Sequence, residues 1–328
     1  MKIAVDAVGG DFYPKNPVLG AIDACGHDKE LQVILVGPEQ MIEEELEKSN
    51  GDKSRISILH ASEIILMDES PASAVKSKIN SSIVKGIAAQ KEGMCEAFVS
   101  TGNTGALLAA STLLLGKLDG VFRPTIAAMF PTVKGFRLLV DAGANLDLKP
   151  EFYPQFAVMA TVYAREVMQI PDPTVGLLNV GHEPEKGTET LKEAHLLLKE
   201  CSNFSGNIEG KDIFKAETDI FLCNGMVGNI LLKFGESFPE TLQFLMKDQF
   251  EKNNTAKELQ REIISTVSGA LDSFNYEHVG GVPFLGVNGV SMVGHGGSTP
   301  VAIKNMILNA AKFVKQNVND KIISSFLN

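Results

Sequence analysis

The sequence predicts an α/β fold with a mostly parallel sheet, and two observations support this prediction. Short apolar runs at 2–5, 31–36 and 56–59 alternate with segments of helical spacing at 17–24 and 39–48. Strands that alternate with helices are typical of βαβ units. In addition, six predicted strands end in Gly, Asn, Asp or Ser, and ligands of open α/β sheets bind at the carboxyl ends of strands.

The polar strand ends are the candidate site. They are Asp6 to Asp11, Ser100 to Gly105, Asp141 to Asp147, Asn179 to Gly187, Asn224 to Asn229 and Gly294 to Pro300. Because the carboxyl ends of parallel strands lie at one edge of a sheet, we expect these segments to converge on one crevice.

One of these strand ends has the composition of an anion-binding turn. A short apolar run leads into Ser100-Thr-Gly-Asn-Thr-Gly105, and a predicted helix follows. Gly102 and Gly105 allow a ligand to approach closely, and the first N–H groups of the helix favour an anion. Alternatively, Ser100 or Thr101 only caps the helix and the glycines only tighten the turn.

Composition excludes several classes of protein. The chain has 328 residues, 44% of them hydrophobic, and a net charge of −10, so a nucleic-acid-binding surface is not expected. The four cysteines are far apart and lack metal-ligand spacing, which is typical of reduced core residues in a cytosolic protein. The first apolar run is too short for a signal peptide, and the stretch 105–116 is shorter than the roughly 20 residues of a membrane span. We therefore expect a cytoplasmic protein.

Two helical segments have unusual features. A helix predicted over 72–92 places Lys76 inside its apolar stripe, so its ammonium either extends to solvent or meets a buried anion, and the anion is favoured. The segment 230–275 has helical spacing without a strand signal, and it predicts two long helices joined near 252–256. A helical hairpin inserted in an α/β chain usually projects as a dimer surface, a lid or a membrane contact.

The motifs for several reactions are missing. The sequence has no Gly-x-Ser-x-Gly, His-Glu-x-x-His, Walker A or Rossmann fingerprint. The expected crevice is instead rich in N–H groups, amides, hydroxyls and lysines. Such a site suits a reaction that needs positioning and oxyanion stabilisation, such as the attack of phosphate on an activated acyl carbonyl.

Motifs along the whole chain resemble the PlsX family of bacterial phosphate acyltransferases. They are Asp6-Ala-Val-Gly-Gly-Asp11, Ser100-Thr-Gly-Asn-Thr-Gly-Ala106, Arg123-Pro124, Asp141-Ala-Gly-Ala-Asn-Leu-Asp147, Leu177-Leu-Asn-Val-Gly181 with Lys186-Gly187, Gly206-Asn-Ile-Glu-Gly210, Gly228-Asn229 with Leu232-Lys233, and His295-Gly296 with Ser298. The resemblance implies conversion of acyl-[acyl carrier protein] and inorganic phosphate into acyl phosphate and free carrier, for phosphatidic acid synthesis.

The resemblance carries further expectations. It implies one three-layer α/β/α catalytic domain over 1–328, similar to isopropylmalate dehydrogenases, with the helical hairpin as an insertion. It also implies a homodimer, no metal or organic cofactor, and peripheral attachment to the cytoplasmic membrane. Two alternatives stay open: a phosphate acyltransferase that uses acyl-coenzyme A, and a non-catalytic scaffold for lipid-synthesis enzymes.

With the resemblance, roles can be assigned to individual residues. We expect inorganic phosphate at Gly102-Asn103-Thr104, with Lys186 or Lys76 as its counter-charge, and His295 as acid or oxyanion stabiliser. Lys186, His295 and Asn103 are the candidate catalytic residues. The candidate substrate-binding residues are Asp6, Gly9, Gly10, Asp11, Lys76, Ser100, Gly102, Thr104, Gly105, Asp141, Asn145, Asn179, Gly296 and Ser298.

The expected carrier protein is acidic, as is this chain. Docking therefore requires a local cluster of Lys and Arg near the crevice or the hairpin, and binding that weakens with salt.

Overall fold

The computed structural model describes residues 1–271, 274, 277 and 279–327. The strands are β1 (Lys2–Asp6), β2 (Gln32–Gly37), β3 (Ile56–His60), β4 (Ala97–Ser100), β5 (Thr125–Thr132), β6 (Gly135–Val140), β7 (Val175–Asn179), β8 (Phe204–Glu209), β9 (Ile220–Leu222), β10 (Val282–Leu285) and β11 (Val290–Val293). They form one sheet in the order β3-β2-β1-β4-β11-β10-β5-β6-β9-β7-β8.

Helices cover both faces of this sheet. They are α1 (Lys15–His27), α2 (Glu39–Lys48), α3 (Pro71–Ser77), α4 (Ser82–Lys91), α5 (Thr104–Ala110), α6 (Phe152–Glu166), α7 (Glu189–Leu198), α8 (Gly225–Lys252), α9 (Lys257–Ala270), α10 (Pro300–Lys315) and α11 (Val318–Leu327). Successive strand residues point to opposite faces, so Val5 packs in a core with α1, α6 and α10, whereas Ala4 packs with α4 and α5. The predicted three-layer α/β/α class is confirmed.

The direction of the strands reverses at the centre of the sheet. Parallel pairing holds from β3 to β11 and again from β6 to β8. Between these halves, β11, β10, β5 and β6 pair in an antiparallel manner. The two halves therefore run in opposite directions, and the prediction that all six polar strand ends meet at one edge is wrong.

The prediction of one continuous helix over 72–92 is also wrong. The segment forms two helices, α3 and α4, and the Ser81 side chain caps the second by accepting a hydrogen bond from the Val84 N–H. Because the helical phase restarts at Ser81, the apolar stripe does not continue through α3. Lys76 is exposed, so the prediction that it lies inward beside a buried anion is wrong.

The predicted helical hairpin is present as α8 and α9, joined at 253–256. Helix α8 begins at Gly225, earlier than predicted, and continues through Pro239; residues 272, 273 and 275 of the predicted segment lie outside the described residues. At the base of the hairpin, Phe238 and Phe274 stack 5.7 Å apart, and Phe214 lies within 6.3 Å of both rings. Among the described helices, none is both long and apolar enough to cross a bilayer.

Candidate active site

A pocket of about 510 Å³ lies where β4, β11 and β6 end, a volume within the range of small-molecule sites. Its polar lining includes Gly102, Thr104, Gly105, Asn229, Lys233, Glu236, His295 and Gly296. The sequence predicted five of these residues as site residues, and the exceptions are Asn229, Lys233 and Glu236.

The pocket passes through a gap in the sheet beside β5, beyond Ile126, which we call the notch. Strand β10 pairs with Thr125 and Ile126 of β5, and among the described residues no strand pairs with the rest of that edge of β5. Ile126 and Met129 lie on opposite faces of β5, because side chains alternate along a strand. Both nevertheless line the pocket, which is possible because the open edge connects the two faces.

Register brings the end of β6 to the pocket even though β6 runs opposite to β11. Val293 at the end of β11 pairs with Val282 of β10, and Phe284 of the same short strand pairs with Ile126. Val140, the last residue of β6, pairs with Ala127. The two strand ends therefore lie at nearly the same level, and Ala142 and Gly143 line the same pocket as Gly294 and His295.

The turn after β4 is held by its own hydroxyl groups. Ser100 Oγ donates to Asp6 Oδ2 at 2.6 Å and accepts from the Gly102 N–H at 3.0 Å. Thr101 Oγ1 donates to the Gly9 carbonyl at 3.0 Å. These bonds leave the first N–H groups of α5 at the pocket, where Thr104 and Gly105 form part of the wall.

Gly9 and Gly10 let the segment after β1 pack against this turn. A Cβ on Gly9 would lie 2.8 Å from both Asp6 Oδ2 and the Gly102 nitrogen, which no side chain tolerates. Gly10 has φ +80° and would clash with the Gly296 carbonyl at 2.7 Å. The Asp11 N–H donates to that carbonyl at 2.8 Å. The predicted residues Asp6 to Asp11 thus brace the pocket from behind and do not line it.

Asp6 carries a buried carboxylate whose burial raises its pKa, although hydrogen bonds from Ser100 and Val8 oppose the shift. The folded state therefore binds this proton more tightly than the unfolded state. Below the usual pKa of 3.8 the carboxyl is protonated in both states, and burial of the charge costs no folding free energy. This cost grows as pH rises from 3.8 to the raised pKa of the folded state.

The Asp6→Asn variant is expected to gain stability relative to the natural protein as pH rises from about 4 towards 8, because the amide has no charge to bury. Denaturant unfolding at several pH values measures this trend. The exposed Asp23→Asn variant controls for the loss of one negative charge. The prediction is contradicted if the free energy of unfolding of Asp6→Asn, minus that of the natural protein, falls as pH rises.

Asp141 organises the turn after β6. Its fully buried carboxylate accepts five hydrogen bonds, from the N–H groups of Ile126, Gly143, Ala144 and Asn145 and from Asn145 Nδ2, at 2.6 to 3.2 Å. Asn145 Nδ2 also donates to the Pro124 carbonyl at 2.9 Å. The Asn145 amide, which the sequence predicts to bind substrate, is therefore used inside the turn, and Asp141 and Asn145 shape the backbone that lines the pocket.

Asn103 is likewise engaged with the protein. Its Oδ1 caps α5 by accepting from the Ala106 N–H at 2.9 Å, and Nδ2 lies 3.0 to 3.2 Å from the carbonyls of Leu66, Met67 and Glu69. Asn103 thus attaches the segment 66–69 to the helix, and Met67 of that segment lines the pocket. In this structure its amide positions the wall of the pocket rather than pointing at a substrate.

His295 lies in the pocket with a defined tautomer. The Gly297 N–H donates to His295 Nδ1 at 3.0 Å, so in the neutral ring the proton is on Nε2. The Ser298 N–H donates to the His295 carbonyl, and Asn16 Nδ2 donates to the Ser298 carbonyl at 2.9 Å. Ser298 is buried and supports the histidine loop without lining the pocket.

Helix α8 supplies the charged residues that the predictions missed. Asn229, Lys233 and Glu236 all line the pocket. Partial burial raises the pKa of Glu236, and the nearby His295 and Lys233 oppose the shift; the side chain still reaches solvent. A spacing of four and then three residues places the three on one helix face, which is a signal the sequence contains.

Lys186 and Asn179 lie elsewhere. They follow β7, which is separated from β11 by four strands, roughly 24 Å at the usual strand spacing. Asn179 Nδ2 donates to the Lys186 carbonyl at 3.1 Å, and its Oδ1 accepts from the Val180 N–H. Neither residue lines the pocket, and neither does Lys76. Within one chain, the structure therefore does not bring the two predicted lysines to the turn after β4.

Solved structures share this architecture. A phosphotransacetylase from Streptococcus pyogenes superposes with a TM-score of 0.61 at 15% identity, covering 96% of this chain and 94% of the other. A branched-chain phosphotransacylase from Enterococcus faecalis V583 gives 0.58 at 13% identity, covering 96% and 99%. The fold is that of the phosphotransacylases.

Sequence relatives are much closer. A family model described as "fatty acid synthesis protein" matches residues 1–321. A phosphate acyltransferase of Salinibacter ruber is 44% identical over 329 residues, covering 99% of this chain and 97% of the relative. One from Heliobacterium modesticaldum is 45% identical over 319 residues, covering 97% and 95%. The chain belongs to this fatty acid synthesis family, the PlsX phosphate acyltransferases, and is an acyltransferase enzyme.

Proposed function

We propose that the protein transfers the acyl group of an acyl-[acyl carrier protein] to inorganic phosphate, producing acyl phosphate for phosphatidic acid synthesis. The observation that carries the proposal is the convergence of the turn after β4, Lys233 and His295 on one pocket that also has apolar walls. An anion and a hydrocarbon chain are the two groups that such a pocket accommodates together.

In the proposed reaction, phosphate binds at the N–H groups of Thr104 and Gly105. Its oxygen attacks the thioester carbonyl carbon, the carbon–sulfur bond breaks, and the thiolate leaves on the carrier. His295 Nε2–H either stabilises the oxyanion or protonates the departing sulfur. Because phosphate is already an anion at neutral pH, the site needs no activated side-chain nucleophile.

We propose Lys233 as the counter-charge of phosphate, in place of Lys186 or Lys76, because it lines the pocket. Lys233→Ala is expected to raise the KM for phosphate about 10- to 100-fold, since a hydrogen bond to a charged group contributes about 1.5–3 kcal/mol. Initial rates at varied phosphate measure the effect. Lys186→Ala and Lys76→Ala are matched controls for the loss of one lysine, and a larger KM effect in either one contradicts the assignment.

Formation of acyl phosphate from two donors tests the function as a whole. The proposal predicts higher kcat/KM with the carrier-protein thioester than with the coenzyme A thioester of the same acyl group. The reverse preference favours the coenzyme A alternative. No product from either donor, with membrane binding retained, favours the non-catalytic scaffold.

The expected homodimer and membrane contact are also part of the proposal. Met226, Ile230 and Phe234 are exposed at four-residue intervals along α8, and such an apolar stripe suits contact with a second copy. On the hairpin, Leu259 and Ile264 are exposed, whereas Phe250 is buried. Phe244 and Leu245 of α8 are also exposed, so peripheral membrane contact would use these two residues together with Leu259 and Ile264 of α9.

A further inference from the structure

At the notch, one part of the pocket is lined by apolar side chains alone. We define this apolar arm as Met129, Pro131, Phe136, Leu232 and Phe274, all of which line the pocket. Pro131 pairs directly with Phe136, and Met129 lies two residues from Pro131 on β5. These three side chains therefore share one face of the β5–β6 ladder. Leu232 of α8 packs with the clusters of Ala128 and Phe130 on the opposite face, so the arm follows the open edge of β5.

Met129 differs from its neighbours in the strand. It is the only residue of β5 that is not fully buried. Met129 packs against the core that contains Val5 and residues of α1, α6 and α10, and it also lines the pocket. A methionine side chain has three rotatable bonds and adapts to irregular shapes, so Met129 forms a deformable boundary between the core and the arm.

The apolar arm lies on different elements from the turn after β4 and the histidine loop, which face the same pocket. The turn after β4 and the histidine loop after β11 supply the N–H groups and the imidazole, whereas β5, β6 and α8 supply the arm. A thioester whose carbonyl lies beside His295 can extend its hydrocarbon chain only where no polar side chain must be desolvated. The arm meets this requirement, since all of its residues are apolar.

We propose that the apolar arm binds the alkyl chain of the acyl donor and that Met129 sets the longest chain it accommodates. The inference rests on the proposed function, because it takes this pocket as the site of acyl transfer. Each methylene that enters the arm should raise kcat/KM about fourfold, until the chain reaches Met129 and the gain stops.

The test uses full-length protein, inorganic phosphate and carrier-protein thioesters of saturated acyl groups from butyryl to stearoyl, with acyl phosphate trapped as the hydroxamate. Met129→Ala is expected to move the longest efficient chain at least one two-carbon step longer. Met129→Phe is expected to move it at least one step shorter. Met94, which is exposed at the end of α4 and does not line the pocket, supplies the controls Met94→Ala and Met94→Phe.

The outcomes separate the inference from the function on which it rests. Activity in all proteins with one unchanged chain-length profile overturns the role of the arm but leaves the proposed function intact. If the natural protein forms no acyl phosphate from any chain length, the proposed function fails and the inference fails with it. If Met129→Phe does not fold, Met129→Ala alone tests the proposal. A shift of its longest efficient chain towards longer chains supports the proposal, and an unchanged or shorter chain contradicts it.

Discussion

His295→Ala is expected to lower kcat about 100- to 1,000-fold while changing the KM for phosphate little. The imidazole donates from Nε2 because its Nδ1 accepts the Gly297 N–H, and loss of one donor to a developing oxyanion costs about that factor. The phosphate contacts assigned to the turn and to Lys233 do not involve the ring. Steady-state kinetics with varied phosphate and fixed donor measures both parameters.

A matched control and a second substrate sharpen this result. His60 is exposed outside the pocket and its Nδ1 likewise accepts a backbone N–H, from Glu39 at 3.3 Å, so His60→Ala should keep the natural kcat. An acyl donor with a more acidic thiol needs no proton on its leaving sulfur. If it restores the rate of His295→Ala, the histidine is a general acid; if it does not, the histidine stabilises the oxyanion. Natural kcat in His295→Ala with both donors rules out either role.

Asp141→Ala is expected to lower the free energy of unfolding by about 4 kcal/mol or more. Removal of the carboxylate leaves four backbone N–H groups and one amide without their acceptor, and each unpaired buried group costs about 1–3 kcal/mol. Burial raises the pKa of Asp141, so the charge itself is held at a cost that reduces the net loss. The large effect is typical of a broken buried network.

Thermal unfolding measures the loss, which corresponds to a fall in Tm of about 6 °C or more for a chain of this length. Asp147 is exposed in the same loop, so Asp147→Ala controls for the removal of a carboxylate there and should shift Tm little. Equal Tm values for Asp141→Ala and Asp147→Ala would show that the turn does not depend on the buried carboxylate.

Local signals were sufficient for most of the fold. Alternating apolar runs and helical segments predicted the βα units of the first half, and the long helical spacing after 230 predicted α8 and α9. Strand β10 was missed because Val282-Pro-Phe-Leu285 is short, contains proline and pairs with only two residues of β5. That strand forms the notch, so a weak local signal determines where the pocket lies.

The candidate site was likewise predicted in part from local signals. Gly102, Thr104, Gly105, His295 and Gly296 were predicted because each follows a strand in a glycine-containing turn, and the structure places them together. The spacing of Asn229, Lys233 and Glu236 places Lys233 on a polar helix face, but only the packing of α8 shows that this face lies at the pocket, whereas Lys76 and Lys186 do not line it. The contacts of the Asn103 amide could not be predicted for another reason, since the carbonyls beside it belong to residues 34 to 37 positions away in the chain.

The sequence by itself determined the α/β class, the turn from Ser100 to Gly105 and the series of motifs that resembles the phosphate acyltransferases, because these depend on residue type and short-range spacing. Only the tertiary structure decided that the sheet reverses direction, that Lys233 lies in the pocket, and that an apolar arm opens at β5. The physical reason is register: residues near 102, 142, 233 and 295 meet through strand pairing and helix packing, which local sequence does not specify.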